Sequence, residues 1–327
     1  MMKFQPLLSS KVFVKKKEDT EKNMKILDAR ITPDNPALIS IKWDGWRMFE
    51  NDGRVLCRSM DPPRNEYVRK IFAEMFRDMK ERTGMRCIDG EAIGGSNPMA
   101  HNAMQASTSA FNCDYKVTDW TFHVFDTYMD PMMPFEQRLD LVSEAVDKMK
   151  GDWPWLFFTE HRYMQNIEEI MQYLNHVESL GGEGVMGRDP KGIYKLGRST
   201  MRDGILWALK PYADGECVIE EVHEMMSNQN EATTDSRGYM KRSGGKAGMV
   251  PKDTMGYVVC RGLDPKWPET FRIGMGPGLD DGLRKHIWLN KEKYIGQTLK
   301  YKYQAVGCVE RPRQPKWMGL RGKADML

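Results

Sequence analysis

The hydrophobic positions fall into two rhythms, one helical and one alternating. Residues 65–82 carry the clearest helical stripe. Val68, Ile71, Phe72, Met75, Phe76 and Met79 recur on one face, charged residues fill the other, and Gly84 supplies a stop. Residues 134–150 repeat the pattern with Phe135, Leu139, Val142, Val146 and Met149 facing inward and Gly151 closing the segment. A third helix is predicted over 166–180, ended by Gly181-Gly182. Short apolar runs at 11–14, 85–93, 120–128, 184–186 and 205–211 read as strands. Residues 37–60 read as a hairpin system, with ALISIKW and WRMFEN as successive strands and Asn51-Asp52-Gly53 turning into RVLCRS. Residues 94–119 show no clear pattern. Strands and helices alternate unevenly, which predicts an α+β domain rather than a doubly wound sheet.

The rhythm changes after Pro211. Short strands are predicted at 217–222, 256–261, 271–273 and 298–304, with a helix at 280–288 and a polar, glycine-rich stretch at 227–253. This pattern predicts a small all-β barrel domain. The boundary falls near 211–215, giving domains 1–212 and 213–327.

Composition narrows the class only a little. In 327 residues, 40% are hydrophobic and 29% charged, which is ordinary for a soluble globular chain. The net charge of +3 neither requires nor excludes a nucleic-acid partner. Six cysteines without a CxxC pair predict reduced thiols and argue against a zinc ribbon or a disulfide framework. The histidines show no metal-binding spacing. Neither a signal peptide nor a membrane span is predicted. Lys15-Lys16-Lys17 reads as a solvated charge run.

The candidate chemistry centres on Lys42-Trp43-Asp44-Gly45-Trp46-Arg47, directly after the apolar run 37–41. A lysine leaving a buried strand beside another cation is predicted to have its amine neutralised more easily, which would make it a nucleophile near neutral pH. Further along come Arg58, Asp89-Gly90-Glu91, Phe125-Asp126, Glu183-Gly184-Val185-Met186 and Lys210. Taken singly, Asp44 and Asp89 read as turn caps and Phe125 as core.

Taken in order, these segments resemble the nucleotidyltransferase motifs of ATP-dependent DNA ligases. The second domain and the tail RPRQPKWMGLR are similar to the OB-fold region of small phage-type members. The resemblance implies a nucleotidyltransferase (ATP-grasp-like) domain of antiparallel sheets and helices, followed by an OB-fold. It implies Lys42 as the nucleophile toward the α-phosphate of ATP, and Arg47 and Lys210 as cations near the phosphates. Phe125 would stack on adenine, and Arg58 would contact the nucleotide or a 5′-phosphate. Glu91 would bind ribose or metal, and Glu183 would help hold Mg²⁺, with Mn²⁺ able to substitute. Asp44 joins the site with a less defined role. Nicked double-stranded DNA is the implied partner, with no membrane contact, a monomeric state and a cytoplasmic location (host cytoplasm for a viral source). DNA contact is a secondary reading for Lys15-Lys16-Lys17. Residues 227–253 are either a flexible excursion or a segment that orders on DNA through Arg237, Lys241, Arg242 and Lys246.

One departure stands out. The last of these motifs ordinarily has two lysines one residue apart, whereas here Ala208 precedes Leu209-Lys210. Arg188 and Arg202 are candidate substitutes for the missing cation. Arg311, Arg313 and Arg321 are candidates for closing the OB-fold over ATP. An RNA ligase, a capping-type nucleotidyltransferase and a catalytically weakened nick-binding clamp are the alternative readings. NAD⁺ is not expected, because the segment before Lys42 is short and no four-cysteine element follows.

Overall fold

A computed structural model describes residues 4–14 and 18–321. The run Lys15-Lys16-Lys17 lies outside the described residues. Two compact units follow one another along the chain, Met1–Pro211 and Tyr212–Leu327.

The first unit opens with β1 (Ser10–Val14), α1 (Glu18–Arg30) and β2 (Ala37–Ile41). Then come β3 (Trp46–Asn51), β4 (Arg54–Cys57), α2 (Glu66–Thr83) and β5 (Ile88–Gly94). The unpatterned region 94–119 contains α3 (Ala103–Asn112), followed by β6 (Trp120–Thr127) and α4 (Phe135–Met149). Two short strands, β7 (Leu156–Phe158) and β8 (Arg162–Met164), precede α5 (Ile167–Ser179) and β9 (Val185–Arg188). Helix α2 starts where its cap places it: the Asn65 side chain accepts from the Val68 N–H at 3.2 Å. It stops at Gly84, whose left-handed φ of 75° suits a residue without a Cβ.

Two sheets make up this unit. In one, β8, β2, β9 and the first part of β10 (Leu206–Asn228) lie side by side, and β1 adds to β10 in parallel. In the other the order is β4-β3-β5-β6-β7. The expected succession of 37–43 and 46–51 as one hairpin is therefore corrected. Strand β2 pairs with β8 and β9, whereas β3 pairs with β4 and β5. Only the turn at Asp52-Gly53, both with positive φ, closes a hairpin. The segment 42–45 thus passes from one sheet to the other.

Each sheet buries one face under helices. Met48, Ala92, Phe122 and Val124 join the α2 stripe and Val142, Val146 and Met149 of α4 in one core. Val12, Ile39, Val185, Trp207 and Leu209 join Leu27 of α1, Ile31 just after it, and Ile170, Leu174 and Val177 of α5 in another. Because side chains alternate along a strand, Arg47, Glu91 and His123 lie on the opposite face of one sheet. Lys11, Ala208 and Lys210 lie on the opposite face of the other.

In the second unit, the rest of β10 pairs antiparallel with β13 (Met249–Gly262) and β15 (Thr298–Gln304), after β11 (Ala232–Thr234) and β12 (Met240–Arg242). Strand β14 (Phe271–Ile273) borders β13, and β16 (Arg313–Leu320) borders β15. The Trp317 N–H donates to the Met275 carbonyl at 2.8 Å, drawing the two sheet edges together. Cys217, Ile219, Val258, Phe271, Leu299 and Trp317 fill the interior with Ile287 of α6 (Asp281–Leu289). A short α7 (Lys291–Tyr294) precedes β15. The strands expected separately at 205–211 and 217–222 are one continuous β10. Residues 227–253, expected as a possible flexible excursion, include the exposed hairpin β11–β12.

Candidate active site

Two glycines bring the two sheets of the first unit together around Lys42. A Cβ at Gly45 would lie 2.3 Å from the Ala92 carbonyl oxygen, so only glycine lets the chain pass this close to β5. Gly184 has φ of 144°, and a Cβ there would lie 2.2 Å from the Leu209 carbonyl oxygen. Its carbonyl accepts the Lys42 N–H at 2.9 Å. This close approach sets Glu183 between two lysines. One carboxylate oxygen accepts from Lys42 Nζ and the other from Lys210 Nζ. Glu183 is only 3% exposed, against 21% for Lys42 and 11% for Lys210.

The electrostatics overturn one expectation. Burial pulls the Lys42 amine toward neutrality, but Glu183, Glu91 and Asp44 outweigh it, and its proton affinity is raised. Arg47 was expected to help neutralise Lys42. Its guanidinium instead forks onto Asp89, with Nε donating to Oδ1 at 2.7 Å, and donates through Nη1 to the Leu7 carbonyl at 2.5 Å. Lys210 is the easier ammonium to deprotonate: burial and the Lys42 charge lower its pKa to about 8. Burial opposes ionisation of Glu183, yet the two lysines hold its carboxyl down at about 2.

Glu91 faces the same region from β5 and accepts the Gly45 N–H at 3.2 Å. Burial, only partly offset by Lys42 and Arg47, pushes its carboxyl up to about 7. Asp44 is buried close enough to act on both Lys42 and Glu91. Phe125 occupies the extra position where β6 slips in register against β5, between Asp126 opposite Asp89 and Val124 opposite Gly90. Arg47 and Arg188 sit 5.5 and 5.7 Å from its ring centre. Trp43 lies 4.0 Å from the His123 ring and donates to Thr159 Oγ1 at 3.1 Å. Burial holds His123 down at about 4, so this imidazole is neutral.

The chain matches the ATP dependent DNA ligase domain over residues 14–205, more than half its length. It belongs to the ATP-dependent DNA ligase family. Among curated relatives of this ligase-family chain, an African swine fever virus DNA ligase is 26% identical over 134 residues. That match covers 40% of this chain and 30% of the viral protein, so the chain spans less than a third of that relative. The structure of the Chlorella virus DNA ligase-adenylate is 25% identical with a TM-score of 0.50, covering 98% of this chain and 99% of that one. A Lig E DNA ligase structure has the same fold, with a TM-score of 0.62 at 17% identity, covering 96% of this chain and all of that one. The architecture is α+β, a nucleotidyltransferase fold followed by an OB-fold.

Of the residues expected at a ligase site, the structure gathers Lys42, Lys210, Glu183, Glu91 and Asp44, with Arg47 and Phe125 beside Glu91 and Asp89. Arg58 is exposed just after β4. Arg188 and Arg202 are not at the cluster. Arg188 is buried and pairs with Asp126 at 2.6 Å, whereas Arg202 is exposed, with its carbonyl accepting from Arg30 at 2.8 Å. In the second unit, Arg311 lies 3.4 Å from Glu269, Arg321 lies 2.6 Å from Glu216, and the Arg313 N–H donates to Cys308 Sγ at 3.3 Å. Sequence reasoning missed Tyr194, whose buried hydroxyl donates to Asp89 Oδ2 at 2.7 Å. No local pattern links positions 105 residues apart, so only a contact could reveal it. All six cysteines are free thiols. Among the described residues, no group of three or more His, Cys, Asp or Glu is arranged to hold a metal, and no helix is long and apolar enough to cross a membrane.

Proposed function

We propose that this protein is an ATP-dependent DNA ligase that seals 5′-phosphate/3′-hydroxyl nicks in duplex DNA. The observation that carries the reading is Lys42, partly exposed and sharing Glu183 with Lys210, in a chain of this family. In the first step Lys42 Nζ releases its extra proton to solvent, attacks the α-phosphorus of ATP with the freed lone pair, and loses a second proton to solvent as the adduct forms. A P–N bond forms, the bond to the bridging oxygen breaks, and pyrophosphate leaves with the electron pair. A 5′-phosphate oxygen of the nick then attacks the lysyl-AMP phosphorus, breaking the P–N bond and freeing the amine. The 3′-hydroxyl finally attacks the adenylated phosphate, loses its proton, forms the phosphodiester and releases AMP.

Positioning and charge neutralisation dominate phosphoryl transfer. Lys210 supplies a cation beside the nucleophile. Arg47, locked by Asp89 and Tyr194, acts from the neighbouring sheet. Phe125 offers its ring to adenine, and Arg58 reaches the nucleotide or the 5′-phosphate. Glu183 and Glu91 are hard oxygen donors that would hold Mg²⁺, or Mn²⁺ in its place, which would supply positive charge beside the phosphates. Such an ion would draw carboxylate charge away from Lys42, leaving burial and Lys210 to lower the amine's proton affinity. The exposed β11–β12 hairpin, with Lys241 and Arg242, is available for backbone contact with duplex DNA. We assign the protein a monomeric state and a cytoplasmic site of action, in a host cell if the source is viral.

Intact-mass measurement after incubation with ATP and Mg²⁺ tests this. The protein gains one AMP, GTP gives no GMP adduct, and Lys42→Ala gains nothing. A parent protein that takes up no AMP, with none already bound, would defeat the proposal.

A further inference from the structure

Strand β1 lies parallel to β10 with Lys11 opposite Ala208, Val12 opposite Leu209 and Phe13 opposite Lys210. The pairing fixes which way each side chain points. Val12 and Leu209 are both buried in the core under α1 and α5. Lys11, Ala208 and Lys210 therefore share the opposite face, the one carrying the Lys42–Glu183–Lys210 cluster. Ala208 is fully buried and contributes no charge, whereas Lys11 beside it is solvent-exposed. Among the described residues Lys11 has no ion pair.

The surroundings of Lys11 are rich in positive charge. Burial first, then Arg58, Arg198 and Lys42, lower its proton affinity, and Glu183 opposes them. Arg198 is anchored beside β1 by donating to the Ser9 carbonyl at 2.7 Å. Lys11, Lys42, Lys210, Arg58 and Arg198 thus gather near Glu183, and the carboxylates Glu91 and Asp44 lie on the Lys42 side of the cluster, so the excess of cations is on the Lys11 side. Like charges repel, so an assembly with this excess is arranged for a polyanion that neutralises it.

We propose that Lys11 is a phosphate-binding residue of the nucleotide site, contacting the triphosphate from β1 in the place beside Lys210 that Ala208 leaves without a cation. The inference rests on the proposed ligase reading. The lysine is supplied by the neighbouring strand rather than by β10 itself, at the same level of the sheet. A lysine introduced at 208 would therefore take over its position, and more readily when residue 11 is small.

Single-turnover formation of the enzyme–AMP adduct, measured across ATP concentrations with the full chain, tests this. Lys11→Ala is expected to slow adduct formation by about 100-fold, by analogy with loss of one transition-state donor, with its thermal midpoint unchanged. Lys11→Met, which keeps the apolar stem, is expected to be equally slow, separating charge from packing. Adding Ala208→Lys to Lys11→Ala restores most of the rate. A parent that forms adduct together with an equally fast Lys11→Ala would overturn the inference alone. So would slowing that Ala208→Lys does not relieve. A parent that forms no adduct overturns the ligase reading and this inference with it.

Discussion

The first unit contains two ion clusters built on one plan, a buried carboxylate between two cations, and they serve opposite ends. In one, Asp126 takes Arg138 Nε at 2.8 Å and Arg188 Nη1 at 2.6 Å. Arg138 also donates to the Gly192 carbonyl at 3.1 Å, and Asp126 accepts the Thr127 N–H at 2.8 Å. The three side chains are 1%, 4% and 0% exposed. The other cluster sets Glu183 between Lys42 and Lys210, and Lys42 remains partly exposed. The Arg138 guanidinium forks onto Asp126 and reaches carbonyl oxygens as well, Arg188 adds a bond through one nitrogen, and such groups fix a geometry and stay charged. Lysines sharing one carboxylate have proton affinities that change as neighbours arrive or leave. Full burial with always-charged guanidiniums marks the structural cluster, and titratable lysines, one of them partly exposed, mark the chemical one.

The largest effects separate the two clusters outright. Lys42→Ala abolishes AMP uptake by mass measurement while leaving the unfolding midpoint close to that of the parent. Asp126→Asn should do the reverse in kind. It strands two buried guanidiniums, and losing one partner of a buried pair costs about 3–5 kcal/mol, visible in urea unfolding. A stable Asp126→Asn protein with no adenylation would collapse the distinction.

This contrast also marks how far the sequence was legible. The helical stripes at α2, α4 and α5 and the glycine stops were readable because their period is local. So was the order of Lys42, Glu91, Phe125, Glu183 and Lys210, since each sits in a short segment with its own strand or turn signal. What could not be read was pairing. Strands β2 and β3 are four residues apart and belong to different sheets, because Gly45 lets the chain cross. Arg188 looked available as a spare cation, yet Asp126, 62 residues away, holds it. Lys42 looked set to lose its proton easily, but that inference lacked Glu183, which folding brings in from 141 residues away. Lys11 carried no signal beyond its place in a short strand. Its importance depends on the register with Ala208.

A middle-sized effect concerns Glu91, which belongs to the open cluster. In the folded chain its carboxyl keeps a proton up to about 7, against an ordinary value of 4.5. Between those values the folded chain binds more protons than the unfolded one, so stability falls as pH rises and the loss is complete above about 7. Below 4.5 both states are protonated and the penalty vanishes. The span corresponds to about 3 kcal/mol at most. Glu91→Gln should flatten this part of the stability–pH curve in urea titrations while keeping an acceptor for the Gly45 N–H. An unchanged slope would mean that Glu91 ionises normally, and would remove the idea of an unneutralised site on this face.

The smallest effect tests whether the closed cluster depends on shape as well as charge. Arg188 reaches Asp126 through one nitrogen and lies 4.4 Å from the Phe135 ring centre and 5.7 Å from that of Phe125. Arg188→Lys keeps the charge but removes the planar group that contacts both rings. Lost guanidinium–aromatic contact at a desolvated site predicts a destabilisation of about 1–2 kcal/mol, read from urea unfolding. Adduct formation should change little at saturating ATP, because Arg188 is bound to Asp126 rather than to the Lys42 cluster. Its nearness to Phe125 allows a modest rise in the ATP concentration required. Loss of the rate itself at saturating ATP, with stability intact, would move Arg188 from the closed cluster to the open one.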